Sequence, residues 1–477
     1  MTDTCELLVT NAVVVNSDST FYGHIAITGG KITALHAADA PGLPAAARIL
    51  DAAGRTVIPG GVDGHCHVQQ VTGRYSSLDT FETASIGALW GGTTTILDFG
   101  IPATDTQTPL AAARGKLALA QASRCDVGLH ASVVHWDESV PAQLEELAEL
   151  GIRSVKLYAT NRGTTMASED TILRVMKEMV RLDGLTYIHA EHDAMIEDCV
   201  RDHAARGEIT AGHLHLTRPE LAETASVREA LAMAEYTGAA VYFVHQTVPE
   251  AVDLVAQARR RGLRAYSETC PHYLRLDEGV YASEWPERFA CCPPMRSPET
   301  VKALRGRVAA GLVDTVASDH SCYDTGQKLE RSDDVRFMPH GLPGVETRMP
   351  AAFTTLVREE GLPVQDFVRV FSTEPARING LPDKGCIAPG FDADLVIFDP
   401  DEVRTVKGRE LHMGTDFSPF EGQELAGWPA SVVMAGTVVL EDGVFTDPGP
   451  VGRFLPRLGV SETELSGAPA HTGSVAS

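Results

Sequence analysis

Short apolar runs separated by turn residues fill the beginning of the chain. Leu7-Leu8-Val9 and residues 31–35 are examples, and Gly29-Gly30 stands just before the second run. Such runs are typical of short antiparallel strands joined by hairpins. The same pattern returns in residues 394–398 and 431–440. We therefore expect strand-rich segments from both chain ends to flank the middle of the chain.

In the middle, runs rich in β-branched residues alternate with stretches of helical periodicity. Within residues 171–182, apolar positions recur at helical spacing, at Ile172, Val175, Met176, Met179 and Val180. Eight strand–helix units predict the α/β class, with a (β/α)8 TIM-type barrel. An open doubly wound sheet is the alternative, although no Gly-x-Gly-x-x-Gly turn follows the first strand. The candidate strands are residues 62–65, 94–98, 127–134, 154–158, 186–189, 241–245, 263–268 and 313–318.

These patterns predict four segments. The barrel is expected to span residues 59–384, and a smaller β-sandwich domain is expected to combine residues 1–58 with residues 385–455. The last segment, residues 456–477, is rich in Ser, Thr, Gly and Ala, so we expect a disordered tail there.

Charge and composition narrow the classes of partner. The 477 residues include 40 Lys and Arg against 64 Asp and Glu, a formal net charge of −24, which argues against capture of nucleic acid or of an anionic membrane. No apolar run approaches the length of a membrane span, and no basic region precedes an apolar leader. The nine cysteines form no CxxC pair, which favours reduced thiols. We expect a cytoplasmic protein with a small-molecule substrate.

Polar residues that bind metals close several of the predicted strands. His65 and His67 end the first barrel strand, and residues two apart on a strand project to the same side, so both imidazoles are expected to reach one metal. His189, His245 and Asp319 end three later strands. The active sites of (β/α)8 barrels lie at these carboxyl ends. The alternatives are hydrogen-bonded core histidines and, for Asp319, a helix N-cap.

Lys156 lies within a predicted strand of the same barrel. An ammonium would be repelled by metal ions, so one alternative is a salt bridge to a barrel carboxylate. Addition of CO2 would instead give a carbamate, a bridging carboxylate. With it, two divalent ions about 3.5–4 Å apart would have enough ligands, and this donor set favours zinc, with manganese, iron or cobalt as alternatives. The six expected ligands are His65, His67, Lys156, His189, His245 and Asp319.

Such a site predicts hydrolysis of an amide or a related C–N bond. A hydroxide bridging the two ions would attack a carbonyl that one of the metals polarises. Asp319 would take the proton and return it to the leaving nitrogen.

The chain resembles the cyclic amidohydrolases of the amidohydrolase superfamily, above all the hydantoinase and dihydropyrimidinase branch. The resemblance runs from about Leu8 to Gly443 and implies the barrel, the β-sandwich, two metal ions, the carbamate on Lys156 and commonly a homotetramer, with a homodimer as the alternative. It implies a substrate ring of the hydantoin or dihydropyrimidine type. The stretches that carry it are residues 59–67, 81–83, 91–99, 189–191, 268–274, 292–296, 341–349 and 384–395.

Three candidate substrate contacts depart from the pattern of that branch. The tyrosine that follows the bridging lysine in hydantoinases corresponds by count to Asn161, unless Tyr158 or a residue of a shifted loop replaces it. Where the family has a serine that contacts substrate through its backbone, this chain has Cys292. Where the family usually has an asparagine, this chain has Pro343.

These departures leave the substrate and even the class open. Residues 68–70 lack the arginine with which dihydroorotases hold a carboxylate, whereas His272 and residues 318–321 are similar to allantoinases. Allantoin and other cyclic imides or lactams therefore remain alternatives. Two further classes are a mononuclear deaminase, which would not need Lys156, and a non-enzymatic dihydropyrimidinase-like scaffold protein, which would be expected to have lost ligands.

Overall fold

The structure is a computed structural model, and it describes residues 4–104 and 106–465. Its strands are β1 Thr4–Val15, β2 Thr20–Thr28, β3 Lys31–Ala37, β4 Ala45–Asp51, β5 Thr56–Pro59, β6 Gly61–Cys66, β7 Val71–Thr72, β8 Tyr75–Ser76, β9 Thr93–Gly100, β10 Asp126–Ser132, β11 Ser154–Tyr158, β12 Leu185–His189, β13 Ala240–Phe243, β14 Ala265–Thr269, β15 Thr315–Val316, β16 Leu395–Phe398, β17 Val403–Thr405, β18 Glu424–Ala426, β19 Pro429–Met434, β20 Thr437–Glu441 and β21 Val444–Phe445.

Helices follow most of the strands in the middle of the chain. None of the helices in the described ranges is both long and apolar enough to cross a membrane. They are α1 Phe81–Trp90, α2 Pro109–Ala120, α3 Val140–Glu149, α4 Glu169–Arg181, α5 Asp193–Ala205, α6 Leu214–Thr217, α7 Glu220–Thr237, α8 Pro249–Arg260, α9 Pro271–Arg275, α10 Pro298–Ala309, α11 Thr325–Leu329, α12 Arg348–Phe353, α13 Val364–Val368, α14 Glu374–Ile378 and α15 Val460–Leu465.

Eight parallel strands form the barrel. Their order is β6, β9, β10, β11, β12, β13, β14 and β15, so each strand lies beside the next one along the chain. The two ends of this sheet meet through a parallel bridge between Cys66 and His320. The predicted (β/α)8 barrel is confirmed, and the helices between its strands cover the outside, as in α4, where Ile172, Val175 and Met179 are buried. Val180, predicted on the same apolar stripe, is instead 43% exposed.

Two barrel strands end earlier than their apolar runs. β13 stops at Phe243, and the amide of His245 then donates to the side chain of Glu268 in β14 rather than to a backbone carbonyl. β15 covers only Thr315–Val316, since the amide of Ser318 donates to a carboxylate oxygen of Asp63. In both places a side-chain acceptor replaces the strand pairing, and the chain is free to turn at the carboxyl end of the barrel.

A second, nine-stranded and mainly antiparallel sheet combines both ends of the chain. Its order is β21, β20, β19, β16, β5, β1, β2 and β3, with β4 paired to β1. Leu7, Val14 and Ile25 from the start of the chain share one apolar core with Leu395 and Val433 from its end. The prediction that both ends build the smaller unit is thereby confirmed, while the exact domain boundaries stay a prediction.

The expectation of a disordered tail over residues 456–477 is wrong for its first part. The Arg457 side chain is 5% exposed and donates to the Leu129 carbonyl and to Ser154 Oγ, and α15 follows with Val460 buried. Composition could not reveal this, because the segment is held by the buried Arg457 and by backbone hydrogen bonds, such as those from Leu458 to Gly380 and from Val460 to Asp183, rather than by many large apolar residues. Residues 466–477 lie outside the described residues.

Candidate active site

His65, His67 and Asp319 meet at the carboxyl end of the barrel. His65 lies in β6 and His67 directly follows it, and their Nε2 atoms are 3.2 Å apart, as expected for two residues on one side of a strand. Asp319, three residues after β15, places Oδ1 3.1 Å from His65 Nε2 and 3.3 Å from His67 Nε2. Three potential metal donors thus lie within 4.8 Å of one another.

The remaining three predicted ligands lie beside this group. The rings of His189 and His245 have their centres 4.5 Å apart, and the centres of the His65 and His245 rings are 5.5 Å apart. Lys156, in β11, is fully buried and points into the same end of the barrel, with Nζ 5.0 Å from the Phe99 ring. The structure therefore brings all six residues together, although their role as ligands stays a prediction.

Two buried glutamates orient the histidines. Glu268 Oε1 lies 2.7 Å from His65 Nδ1, which leaves Nε2 of His65 turned toward Asp319. Glu191 Oε2 lies 2.7 Å from His189 Nε2 and 2.5 Å from an Arg218 nitrogen. Carboxylates in this position fix the orientation of metal-binding histidines. Neither glutamate was identified as a functional residue from the sequence. The signal that could have indicated them is the presence of an acidic residue in or just after a buried strand.

The backbone is strained at two of the six residues. His245 has φ 38° and Asp319 has φ 48°, the left-handed region that residues other than glycine rarely adopt. Such strain persists only where surrounding contacts hold it, and it is concentrated at functional sites.

Burial sets the charge of the site. Burial lowers the pKa of His67 to about 4 and is the main cause of the lowered pKa of His189 and of His245. Burial alone would raise the pKa of Asp319, but the charge of His65 and a hydrogen bond with His67 hold it well below its ordinary range. These imidazoles are therefore neutral, with lone pairs available, beside an ionised carboxylate.

Several buried nitrogens of this group fit a metal site because they have no partner. Within the described ranges, His67 Nδ1, His245 Nδ1 and Lys156 Nζ make no hydrogen bond. Leaving such atoms buried and unpaired is costly, whereas imidazole and carboxylate donors are the usual ligands of zinc and related divalent ions. Burial also lowers the pKa of Lys156 to about 8, against the opposing charges of Asp319 and Glu268, which increases the share of neutral amine.

A cavity of about 810 Å³ opens above these residues. Its volume is in the range of sites that take small molecules. Its lining includes five of the six predicted ligands and three of the four predicted substrate contacts, namely His67, Lys156, His189, His245 and Asp319 together with Tyr158, Asn161 and Cys292.

The four predicted substrate contacts differ in what they offer to the cavity. In the described part of the chain, the Tyr158 hydroxyl has no hydrogen-bond partner. Asn161 has φ 74° and donates through its side chain to Thr165 at 3.3 Å. Cys292 Sγ lies 2.9 Å from His340 Nδ1. Pro343 is buried and does not line the cavity among the described residues, whereas His340 does.

Comparison with known proteins gives consistent results. The model of the amidohydrolase family matches residues 56–439. D-hydantoinase of Ralstonia pickettii is 35% identical over 460 residues, which cover 95% of this chain and 99% of that protein. A solved D-hydantoinase structure has a TM-score of 0.91 at 34% identity, covering 95% of this chain and 99% of its own. Dihydropyrimidinase from Brevibacillus agri NCHU1002 has a TM-score of 0.91 at 30% identity, covering 95% of this chain and 98% of its own.

Proposed function

The chain belongs to the amidohydrolase family, and from this premise we propose that it hydrolyses the C–N bond of a cyclic amide or ureide of the hydantoin or dihydropyrimidine type. The observation that carries the proposal is the convergence of six potential ligands at the carboxyl end of the barrel, where five of them line one cavity and the sixth, His65, lies 3.1 Å from Asp319. The full-length similarity to hydantoinases and a dihydropyrimidinase supports the choice of ring.

Two divalent ions would be held by this set. The residues that would hold them are His65, His67, His189, His245, Asp319 and a carbamate formed on Lys156. Bound there, the ions would polarise the scissile carbonyl and lower the pKa of a water molecule. Zinc, with manganese, iron or cobalt as alternatives, and a homotetramer or homodimer stay predictions.

Asp319 would carry the proton through the reaction. Its carboxylate is ionised and lies within 3.3 Å of both His65 and His67, so it would lie beside a water molecule activated by metal ions at this site. It accepts the proton of that water as the new C–O bond forms, and it donates the proton to the ring nitrogen as the C–N bond breaks.

Tyr158 would hold the substrate carbonyl. Lys156 and Tyr158 are two residues apart on β11 and face the same way, so the phenol lies above Lys156 and lines the cavity. Burial raises the pKa of Tyr158, which keeps the hydroxyl protonated as a donor. Asn161, by contrast, already bonds within its own loop. We therefore assign to Tyr158 the contact that the family pattern places at Asn161.

A hydrolysis panel tests the function. Protein expressed with bicarbonate and loaded with zinc or manganese is compared on hydantoin, 5-substituted hydantoins, dihydrouracil, allantoin and dihydroorotate. We expect ring opening of hydantoins or dihydrouracil, lost in Asp319→Asn. Turnover of allantoin alone would change the assigned substrate to allantoin. No turnover of any ring by protein with two metals per chain would overturn the proposed function.

A further inference from the structure

We propose that the buried pair Asp79 and His320 is a positioning device for Asp319, and that it ties Asp319 to the loop at Gly344. This inference rests on the proposed function, since Asp319 is its proton carrier. Both members of the pair are fully buried, and Asp79 Oδ2 lies 3.0 Å from His320 Nε2. His320 directly follows Asp319 in the chain.

The hydrogen bonds determine which nitrogen of His320 carries the proton. The backbone N–H groups of Gly344 and Val345 point at His320 Nδ1, at 3.1 and 3.4 Å. A backbone N–H only donates, so Nδ1 must accept, and the proton must be on Nε2, where it is donated to Asp79. Both nitrogens are then used. Asp79, His320 and Cys322 lie close enough together to suggest a metal site. The hydrogen bonds of His320 explain its contact with Asp79 without a metal ion.

Both neighbours of the strained Asp319 backbone are held, one by Asp63 and the other by Asp79. On one side, the amide of Ser318 donates to Asp63 Oδ1 at 3.0 Å. On the other side, Asp79 fixes the ring of His320. The backbone carbonyl of His320 accepts a hydrogen bond from the amide of His67 at 2.7 Å. The residue next to Asp319 therefore also holds the backbone of His67, whose imidazole lies 3.3 Å from the Asp319 carboxylate.

Asp79 is in turn anchored outside the barrel. Its Oδ1 accepts from Thr83 Oγ1 at 2.7 Å and from the amide of Gly414 at 2.8 Å. The other oxygen, Oδ2, accepts from His320, and the Cys322 side chain also forms a hydrogen bond with this carboxylate. The carboxylate thus fixes the tautomer of His320, and through it the spacing between Asp319 and the loop that contains Gly344.

The test uses Asp79→Asn, which keeps the shape of the side chain but supplies one donor in place of an acceptor. If the amide oxygen stays on Gly414, the NH2 group faces His320 Nε2 and forces the proton to Nδ1, against the N–H of Gly344. We expect kcat to fall by about 10²-fold, as for a small misplacement of a reacting group, with little change in KM. Asp314→Asn is the matched control, because Asp314 is another buried carboxylate that accepts from a backbone amide, that of Ser267. It should leave kcat unchanged.

A double variant separates positioning from folding. Glutamine at position 320 can present either its NH2 or its oxygen to residue 79, so Asp79→Asn should cost little in a His320→Gln background. The proposal falls if Asp79→Asn keeps the wild-type kcat, or if it and Asp314→Asn lose activity in proportion to lost thermal stability.

A readout without turnover distinguishes this proposal from the proposed function. In cobalt-loaded protein, the visible spectrum reports the ligand geometry. We expect Asp79→Asn to shift these bands and Asp314→Asn to leave them unchanged. A shift in a protein that hydrolyses no ring of the panel would retain the positioning role and overturn the function, whereas an unchanged spectrum with unchanged kcat would overturn the positioning role alone.

Discussion

Lys156 Nζ lies 5.2 Å from the centre of the Tyr158 ring, with both side chains on the same face of β11. Because strand residues two apart project alike, the deeper one enters the group of histidines while the outer one faces the cavity. One five-residue strand thus supplies both the proposed bridging group and the proposed donor to the substrate.

The first prediction concerns the carbamate on Lys156. Its Nζ has no hydrogen-bond partner in the ranges that the structure covers, its pKa is lowered to about 8, and Lys156 lines the cavity, so a neutral amine there would be open to addition of CO2. In protein loaded with zinc and 13C-bicarbonate, we expect one carbamate signal by 13C NMR. Lys156→Gln should lose the signal, bind fewer than two ions and lose hydrolysis. A signal that persists in Lys156→Gln would place the carbamate elsewhere.

The second prediction concerns Tyr158. Removing one donor to a developing oxyanion costs about 10²–10³-fold in kcat, so Tyr158→Phe should lower kcat by that factor and leave KM nearly unchanged. Steady-state kinetics on the best ring of the panel measures this. Asn161→Ala is the comparison, because Asn161 occupies the family position but bonds to Thr165. Loss of kcat in Asn161→Ala with full activity in Tyr158→Phe would return the role to Asn161.

The grouping of the six candidate residues could be predicted from the sequence because each one lies in or shortly after a recognisable strand. His65, Lys156 and His189 lie within β6, β11 and β12, where apolar periodicity locates the strand and the barrel rule locates its carboxyl end. His245 and Asp319 follow shortly after apolar runs for the same reason. Local pattern and fold class together were sufficient to predict that these residues come together.

The partners of these residues could not be predicted in this way. Glu268 contacts His65 across 203 positions of sequence, and His320 contacts Asp79 across 241. Such contacts depend on barrel closure and on side-chain orientation, neither of which has a local pattern. The sequence also could not decide between Tyr158 and Asn161, because counting residues does not reveal the left-handed turn at Asn161.

The third prediction concerns the buried pair of Arg348 and Asp63. Both are fully buried, with Arg348 Nε 3.7 Å from Asp63 Oδ2, and the guanidinium also donates to the carbonyls of Val62 and Val316. Removing one partner of a buried pair costs about 3–5 kcal/mol, so Arg348→Met should lower the free energy of unfolding by that amount. Adding Asp63→Asn to Arg348→Met removes the unpaired buried charge and should recover part of the lost free energy of unfolding. Urea unfolding of the two single variants and the double variant measures the coupling, and additive losses would contradict it.

The fourth prediction concerns pH and the Asp392 carboxylate. Burial alone would raise the pKa of Asp392, but the charge of Lys384 and hydrogen bonds from Lys31, Arg453 and Lys384 lower it from 3.8 to about 2. A carboxyl whose pKa is lower in the folded state contributes stability above its unfolded value, and this contribution is lost as pH falls from about 4 toward 2. After allowance for solvent screening it is about 1–2 kcal/mol at neutral pH.

Asp392→Asn should therefore be less stable than the wild type at pH 7. The difference in the free energy of unfolding should shrink as pH falls from about 4 to 2, because the wild type then loses the stabilisation by its ionised Asp392 carboxylate, which the variant lacks at every pH. Urea midpoints across this range measure it. Asp383→Asn is the matched control, since Asp383 binds the same Lys31 at 2.8 Å but its side chain is 61% exposed, and an exposed pair contributes little. Parallel stability curves for the wild type and Asp392→Asn would mean that Lys384 and Arg453 are satisfied by the neighbouring carboxylates of Asp126 and Asp394 alone.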